Sequence, residues 1–296
     1  MVEEETNSRV PYFHIPVLLN EAIDALQVKT GQTYIDATLG GGSYSQEIIK
    51  RGGNVLAIDL DPRAIEKSQE SDGKNFKAVR GNHKDLTEIT HSNGIQTVSG
   101  IVYDLGLSSD QLQNPALGLS FNSNDPLDMR LDQSLGVTAA DLVNGMTEEE
   151  LVHIFEKYGE EMYAKKIARV IVSQRLKRPI KTTGQLTNLI SKAVPARGNI
   201  HPATRVFQAL RIVVNDALGN LESSLNQAMG LLMPGGRLVV VSFHSLEDAI
   251  VKALSERSDV SVVGAVIRPS FKEVADNPRS RSAKLRTYEK KSVSKK

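Results

Sequence analysis

The chain contains no cysteine, which excludes disulfide cross-links and thiolate metal sites and fits a reducing compartment. No apolar run approaches the ~18 residues that suggest a membrane span. The opening "MVEEETNSR" is acidic and polar, unlike a secretory or organellar leader. A soluble, cytoplasmic protein with no membrane contact is expected. Strong net charge is missing too: 36 Lys and Arg against 35 Asp and Glu leave a formal +1. What remains is ordinary globular material. The chain has 296 residues, 40% of them hydrophobic and 24% charged, enough for one large or two modest domains.

The near-neutral total hides an uneven distribution. Residues 171–211 hold no Asp or Glu but eight basic side chains: Arg175, Lys177, Arg178, Lys181, Lys192, Arg197, Arg205 and Arg211. Residues 268–296 carry ten basic groups against three acids. Two basic segments in a neutral chain suggest a polyanion footprint. Solvated helix faces and a frayed tail would give the same composition.

Through residue 110 the pattern alternates. "TYIDATL", "NVLAIDLD", "FKAVRGN" and "GIVYDLGL" read as strands, with "SYSQEIIKRG" and "PRAIEKSQES" as helices between them. Near-continuous apolar strands between helices predict a parallel sheet covered on both faces. Residues 114–202 then show helices and no convincing strand, with Thr147 and Glu150 at capping-box spacing. A long helical stretch follows from His201, broken near Gly219. "GRLVVVSFHS", "VSVVGAVIRPS" and "AKLRTYEKK" complete seven strands, the last two as an antiparallel edge separated by the polar stretch "FKEVADNPRSRS".

The stretch "YIDATLGGGSYS…NVLAIDLD" carries the first chemical signal. Gly40, Gly41 and Gly42 follow one strand, and Asp59 ends the next, 19 residues after Gly40. A glycine turn admits a ligand close to the backbone, and a carboxylate at the next strand tip accepts hydrogen bonds from ribose hydroxyls. A nucleoside-bearing cofactor is expected; a mere tight turn is the competing explanation. Ser45 replaces the third glycine of the dinucleotide fingerprint, and no G-K-[ST] follows, which excludes a P-loop. S-adenosylmethionine carries a ribose but no phosphate, and suits the pattern.

Longer strings make the chain resemble a known family. "HIPVLLNEA", "DLGLSSDQL", "GLSFNSNDPLDMRLD", "YGEE", "KKIARVIV", "HPATRVFQALRIVVN", "MPGGRLVVVSFHSLEDAIVK" and "NPRSRS" together resemble the MraW/RsmH family, the N4-cytosine methyltransferases of small-subunit ribosomal RNA. The resemblance covers nearly the whole chain. It implies an α/β class I S-adenosylmethionine-dependent methyltransferase fold, Rossmann-like, with a seven-stranded mostly parallel sheet and an inserted all-helical domain. The expected division is 1–113 for the first methyltransferase part, 114–202 for the inserted substrate-recognition domain, and 203–296 for the second part with its basic tail. Partners implied are 16S ribosomal RNA or the assembling small subunit; a homodimer is left open.

The family's cofactor contacts fall on Gly40, Gly41, Gly42, Ser43, Tyr44, Asp59, His83, Asp104 and Gln111. The family usually has Gly-Gly-His where this chain has Gly42-Ser43-Tyr44, and Phe where it has His83. Imidazole can stack on adenine, and Tyr44 is expected to pack over the methionine tail.

Methyl transfer from a sulfonium is an in-line displacement, so the enzyme mainly positions two reactants. The cytosine amine is a poor nucleophile, and acceptors near its N–H groups would help. Asp104, Ser108 and Ser109 stand where such acceptors belong. His244 follows strand five at the same rim; a bond to a loop carbonyl is its structural alternative. Arg175, Lys177, Arg178, Lys181 and Arg205 are the candidate RNA contacts, although Arg205 and Arg211 need not share a helix face. Asp125, Asp128 and Asp132 lack EF-hand spacing, so ion pairs with Arg130 are expected and no metal site. The alternatives are a methyltransferase for another nucleic-acid or small-molecule target and a non-catalytic ribosome-assembly factor.

Overall fold

The computed structural model describes residues 16–68, 73–196 and 200–292. The N-terminal "MVEEETNSR", residues 69–71 of the expected helix "PRAIEKSQES", and the basic residues Arg197, Lys295 and Lys296 lie outside them.

All seven expected strands are present: β1 Thr33–Asp36, β2 Asn54–Asp59, β3 Phe76–Arg80, β4 Val98–Asp104, β5 Leu232–Ser242, β6 Val260–Ile267 and β7 Lys284–Lys290. They form one sheet in the order β3-β2-β1-β4-β5-β7-β6. Strands β1 to β5 pair in parallel. Only β7 is reversed, antiparallel to both β5 and β6. The central strands are buried on both faces, as their unbroken apolar runs require. Two cores result. One face packs Ile35, Leu56, Ile101 and Tyr103 with Leu225 and Met229; the other packs Ile23, Tyr34, Ile48, Val102 and Val239.

The helices are α1 Leu19–Leu26, α2 Ser43–Lys50, α3 Pro62–Ser68, α4 Leu86–Ser92, α5 Ser109–Gln113, α6 Ala139–Gly145, α7 Glu148–Gly159, α8 Ala164–Arg175, α9 Thr183–Ala193, α10 Thr204–Asn215, α11 Ala217–Leu231, α12 Ser245–Ala253 and α13 Phe271–Asp276. Helices α6, α7 and α9 each begin with a capping box, from Thr138, Thr147 and Thr182. Each box satisfies two backbone donors that a helix start leaves open.

A third core lies wholly within residues 117–214 and includes Phe155, Ile167, Ile171, Leu186 and Phe207. Helix α10 contributes Val206, Phe207 and Leu210 to it, although its residues were expected to belong with the sheet. The only pairing outside the sheet among the described residues is an isolated bridge between Pro126 and Thr182.

Two details differ from the sequence expectation. The long helical stretch breaks at Asp216, with φ 45°, three residues before Gly219. Gly219 lies inside α11, where a Cβ would stand 2.7 Å from the Asp216 carboxylate. The glycine therefore makes room for the break without being it. The polar stretch before β7 is structured, with α13 and a 3-10 turn over Pro278–Ser282.

Candidate active site

The carboxyl ends of β1, β2 and β4 deliver Asp36, Asp59 and Asp104 to one rim. Strand β1 sits between β2 and β4, the switch point where open α/β sheets bind ligands. Gly40 and Gly42 follow β1 with φ of 49° and 77°, a region that side chains with a Cβ avoid. Nothing but the Thr38 carbonyl, 3.8 Å off, lies near a Cβ placed at Gly40. The turn thus holds open a strip of bare backbone at the start of α2.

Asp59 ties this turn down. Its Oδ2 accepts the Gly40 N–H at 2.8 Å and its Oδ1 accepts the Asp61 N–H at 2.9 Å. Each carboxylate oxygen keeps a second lone pair for a ribose hydroxyl. Burial raises the Asp59 carboxyl above its ordinary range, partly offset by these backbone donors.

Asp36 lies beneath. It is 1% exposed and accepts bonds from the Ser45 hydroxyl at 2.7 Å and the Thr38 N–H at 3.3 Å. Burial pushes its carboxyl up to about 6, with the nearby Asp59 and Asp104 adding to the rise. Thr38 Oγ1 in turn accepts the Asp104 N–H at 2.7 Å. One chain of bonds therefore runs from α2 through Asp36 and Thr38 to the end of β4. Sequence reasoning assigned Asp36 and Thr38 no role; their signal was a carboxylate ending the first β-branched run.

The slot between these elements is lined by Gly40, Asp59, Asp61, Ser108, Asp110 and Gln111, with Arg63, Ala64 and Lys67 on α3. It measures about 20 Å³. A larger cavity of about 260 Å³ lies elsewhere, among Glu161, Tyr163, His201 and Arg205. It has no carboxylate tied to a glycine turn, and the smaller slot is the better ribose site on chemistry.

The structure divides the remaining candidates. Ser108 and Gln111 both reach the slot, but they cap α5 for one another. Ser108 Oγ accepts the Gln111 N–H at 3.1 Å, and the Gln111 side chain accepts the Ser108 N–H at 3.0 Å. Ser109 receives a bond from Arg279 at 3.2 Å. Gly106 in this loop passes so close to Phe243 that a Cβ would meet the ring at 2.8 Å, which locks the β4 loop against the end of β5. His244 is held in a capping box: its Nδ1 accepts the Glu247 N–H, and its Nε2 lies 3.1 Å from the Glu247 carboxylate. Glu247 engages both ring nitrogens, so His244 orders the rim through Glu247 and not through the loop carbonyl expected as its structural alternative.

Ser43 opens α2 beside the turn. Tyr44 is 3% exposed, and its hydroxyl donates to the Val17 carbonyl. It packs under the turn in the α1–α2 core, so the expected place over a methionine tail is not where it lies. Its phenol is raised well above the ordinary value by burial. His83 is half-buried, with its ring edge-on to Tyr103 at 6.0 Å. Burial lowers its pKa to about 4, so the imidazole is neutral. Its Nδ1 is buried with no hydrogen-bond partner among the described residues.

The basic run does not form one face. Arg175 Nη1 donates to the Val143 carbonyl at 2.9 Å, and Arg205 Nη1 donates to the Glu160 carbonyl. Arg211 is buried enough to lower its pKa to about 10 and donates to the Leu119 carbonyl. Lys177, Arg178 and Lys181 are exposed. Arg130 pairs with Asp128 at 2.8 Å as expected. One bond, from the Ser245 hydroxyl to the Glu160 carboxylate at 2.7 Å, joins the helical part to the rim at α12.

The sheet order departs from the dinucleotide-binding order by the reversed β7 between β5 and β6. With an acid-anchored glycine turn at the switch point and no phosphate cradle, fold and site define a class I S-adenosylmethionine-dependent methyltransferase. Residues 11–291 match the MraW methylase family, and the chain belongs to it. It is 44% identical over 292 residues to "Ribosomal RNA small subunit methyltransferase H" of Deinococcus radiodurans, covering 97% of this chain and 93% of that one. It is 45% identical to the protein of the same name from Carboxydothermus hydrogenoformans, covering 94% and 98%. Among solved structures, the N-methyltransferase NodS of Bradyrhizobium japonicum aligns with TM-score 0.45 and 8% identity over 93% of this chain and 94% of that chain. That likeness is too remote to bear on the site.

The donor set suits this cofactor. Asp59 would hold the ribose hydroxyls, the bare backbone at Gly40–Gly42 would admit the amino-acid tail, and the orphaned His83 Nδ1 is a neutral ring acceptor or donor near the end of β3.

Proposed function

We propose that this enzyme transfers a methyl group from S-adenosylmethionine to the N4 amine of one cytidine in small-subunit ribosomal RNA. The observation that carries it is Asp104 at the end of β4, tied through Thr38 to the acid-anchored glycine turn. The curated relatives' shared name supports the RNA class, and the family resemblance supports N4.

The cofactor supplies an electrophilic methyl carbon. When bound, it would give up that carbon to the N4 lone pair and keep the C–S bonding pair on its sulfur, while Gly40–Gly42 and Asp59 would hold it. N4 then sheds a proton. Asp104 accepts a hydrogen bond from that amine, localising its lone pair, and takes or relays the proton. Ser108 and Ser109 shape the loop beside it, and His244 holds the opposite side of the rim through Glu247. Preorganised acceptors of this kind act where charge develops.

In the same reading the helical part, from about 114 through α10, is a substrate-recognition domain held to the rim by Ser245 and Glu160. Lys177, Arg178 and Lys181 are its phosphate contacts; Arg175 and Arg205 hold its internal packing. No helix among the described residues is long and apolar enough to cross a membrane. A cytoplasmic enzyme meeting the small subunit during assembly fits these features. Incubation of unmodified small subunits with labelled donor tests the proposal: label in RNA supports it, and absence of label favours an assembly factor without catalysis.

A further inference from the structure

The motif "NPRSRS" resembles its family counterpart yet takes no part in the mechanism above. Its position follows from topology. Because β7 is antiparallel, its first residue, Lys284, pairs with Ser242 at the carboxyl end of β5. The preceding turn, Pro278–Ser282, therefore reaches the same rim as Asp104. Ser280 is 0% exposed and its hydroxyl donates to the Asn277 carbonyl at 2.8 Å. That inward serine turns its neighbours Arg279 and Arg281 outward into solvent. Arg279 reaches Ser109 in the β4 loop.

The rest of the excursion lies along the same edge. Glu273 on α13 accepts the Leu18 N–H at 2.7 Å, and Val17 next to it takes the Tyr44 hydroxyl below the glycine turn. The excursion thus spans from the glycine-turn side to the β4 loop. At the start of α13, Phe271 is 98% exposed. An exposed aromatic on a basic segment suits the stacking of an unpaired base, as in single-strand binders. Among the described residues, no carboxylate forms an ion pair with Arg279 or Arg281.

We propose that residues 268–283 form a second RNA-contacting surface at the mouth of the site. Arg279 and Arg281 seat a backbone phosphate of the strand entering the site, and Phe271 stacks on an unpaired base of it. This rests on the RNA-methyltransferase function above. It explains why an antiparallel strand closes the sheet with its entry turn at the rim: the turn carries the substrate grip.

The test uses the full chain and unmodified small ribosomal subunits, with filter binding across about 50–200 mM salt. Arg279→Gln with Arg281→Gln should weaken binding and make the salt slope shallower by about one, the share of a single phosphate. Arg279→Lys with Arg281→Lys should restore the slope. Phe271→Ala should weaken binding about tenfold with the slope unchanged. S-adenosylmethionine affinity, measured by calorimetry, should stay at the wild-type value in all of them. Arg281→Gln alone, at a side chain with no described bond, guards against a folding effect and should still reduce the slope. Wild-type affinity and slope in the double variant would overturn the proposal, as would weaker binding that comes with loss of cofactor affinity. If the wild type itself transfers no label to the subunit, the underlying function fails; if it does and the variants bind unchanged, only this surface fails.

Discussion

The Gly40 N–H donates to the Asp59 carboxylate at 2.8 Å across 19 residues of chain. One side chain thus fixes the glycine turn and lines the slot beside it. Hydrogen bonds to a charged group contribute roughly 1.5–3 kcal/mol. Asp59→Ala should therefore weaken S-adenosylmethionine binding by about ten- to a hundredfold. Calorimetry checks this; unchanged affinity in a folded variant would remove Asp59 from the site.

Asp104 ends β4 at 9% exposure. Its backbone, not its carboxylate, makes the bond to Thr38, so the amide isostere should preserve the loop. Asp104→Asn should lose most turnover, at least about a hundredfold if the group acts as an acid–base catalyst, and melt near the wild-type temperature. Full turnover would leave Asp104 a structural residue.

Strands β1, β2, β4 and the second half of β5 were legible as apolar runs buried on both faces, whereas β3, β6 and β7 are only partly buried and were legible from their β-branched and aromatic residues between turn signals. The place of Asp59 beside the glycine turn was legible from its spacing of 19 residues after Gly40, and its contact with a ribose belongs to the proposal. The roles of Arg175, Arg205 and His244 were not. Residue type marks a cation or an imidazole, but only tertiary packing decides whether Val143, Glu160 or Glu247 uses it first. Tyr44 was misplaced for the same reason: helix phase at α2 turns it toward Val17. The structured turn in "NPRSRS" was hidden by its polarity, since its single buried anchor is the small Ser280.

Lys177, Arg178 and Lys181 are exposed, while Arg175 is spent on the Val143 carbonyl. Neutralising the three exposed residues should flatten the salt dependence of RNA binding by up to about three, with no change in melting temperature. Arg175→Gln should instead lower stability by about 1 kcal/mol or more, because it orphans a carbonyl. Equal salt slopes for wild type and triple variant would make this patch a solvated surface.

Burial lifts the Asp36 carboxyl to about 6 from an ordinary 3.8. The native chain then holds a proton that the unfolded chain has released between those values. Asp36 by itself makes stability fall as pH rises from about 4 to about 6, by a total on the order of 3 kcal/mol, while His83, lowered by burial from 6.5 to about 4, makes it rise over about 4 to 6.5 and contributes equally to wild type and to an Asp36 variant. Asp128 and Asp248, whose carboxyls are lowered by ion pairs, act at lower pH and cancel in a comparison. Asp36→Asn should gain stability relative to wild type across that window. Denaturant unfolding at pH 4, 5, 6 and 7 checks it, and parallel curves would contradict it.

The account stands most directly on the chemical identity of the product. Unmodified small subunits treated with this protein and methyl-labelled S-adenosylmethionine can be digested to nucleosides and resolved by mass spectrometry. The expected result is N4-methylcytidine at a single position of the small-subunit RNA, absent with Asp104→Asn. Label in a ring-methylated cytidine, in another base, or in no nucleoside would contradict the account.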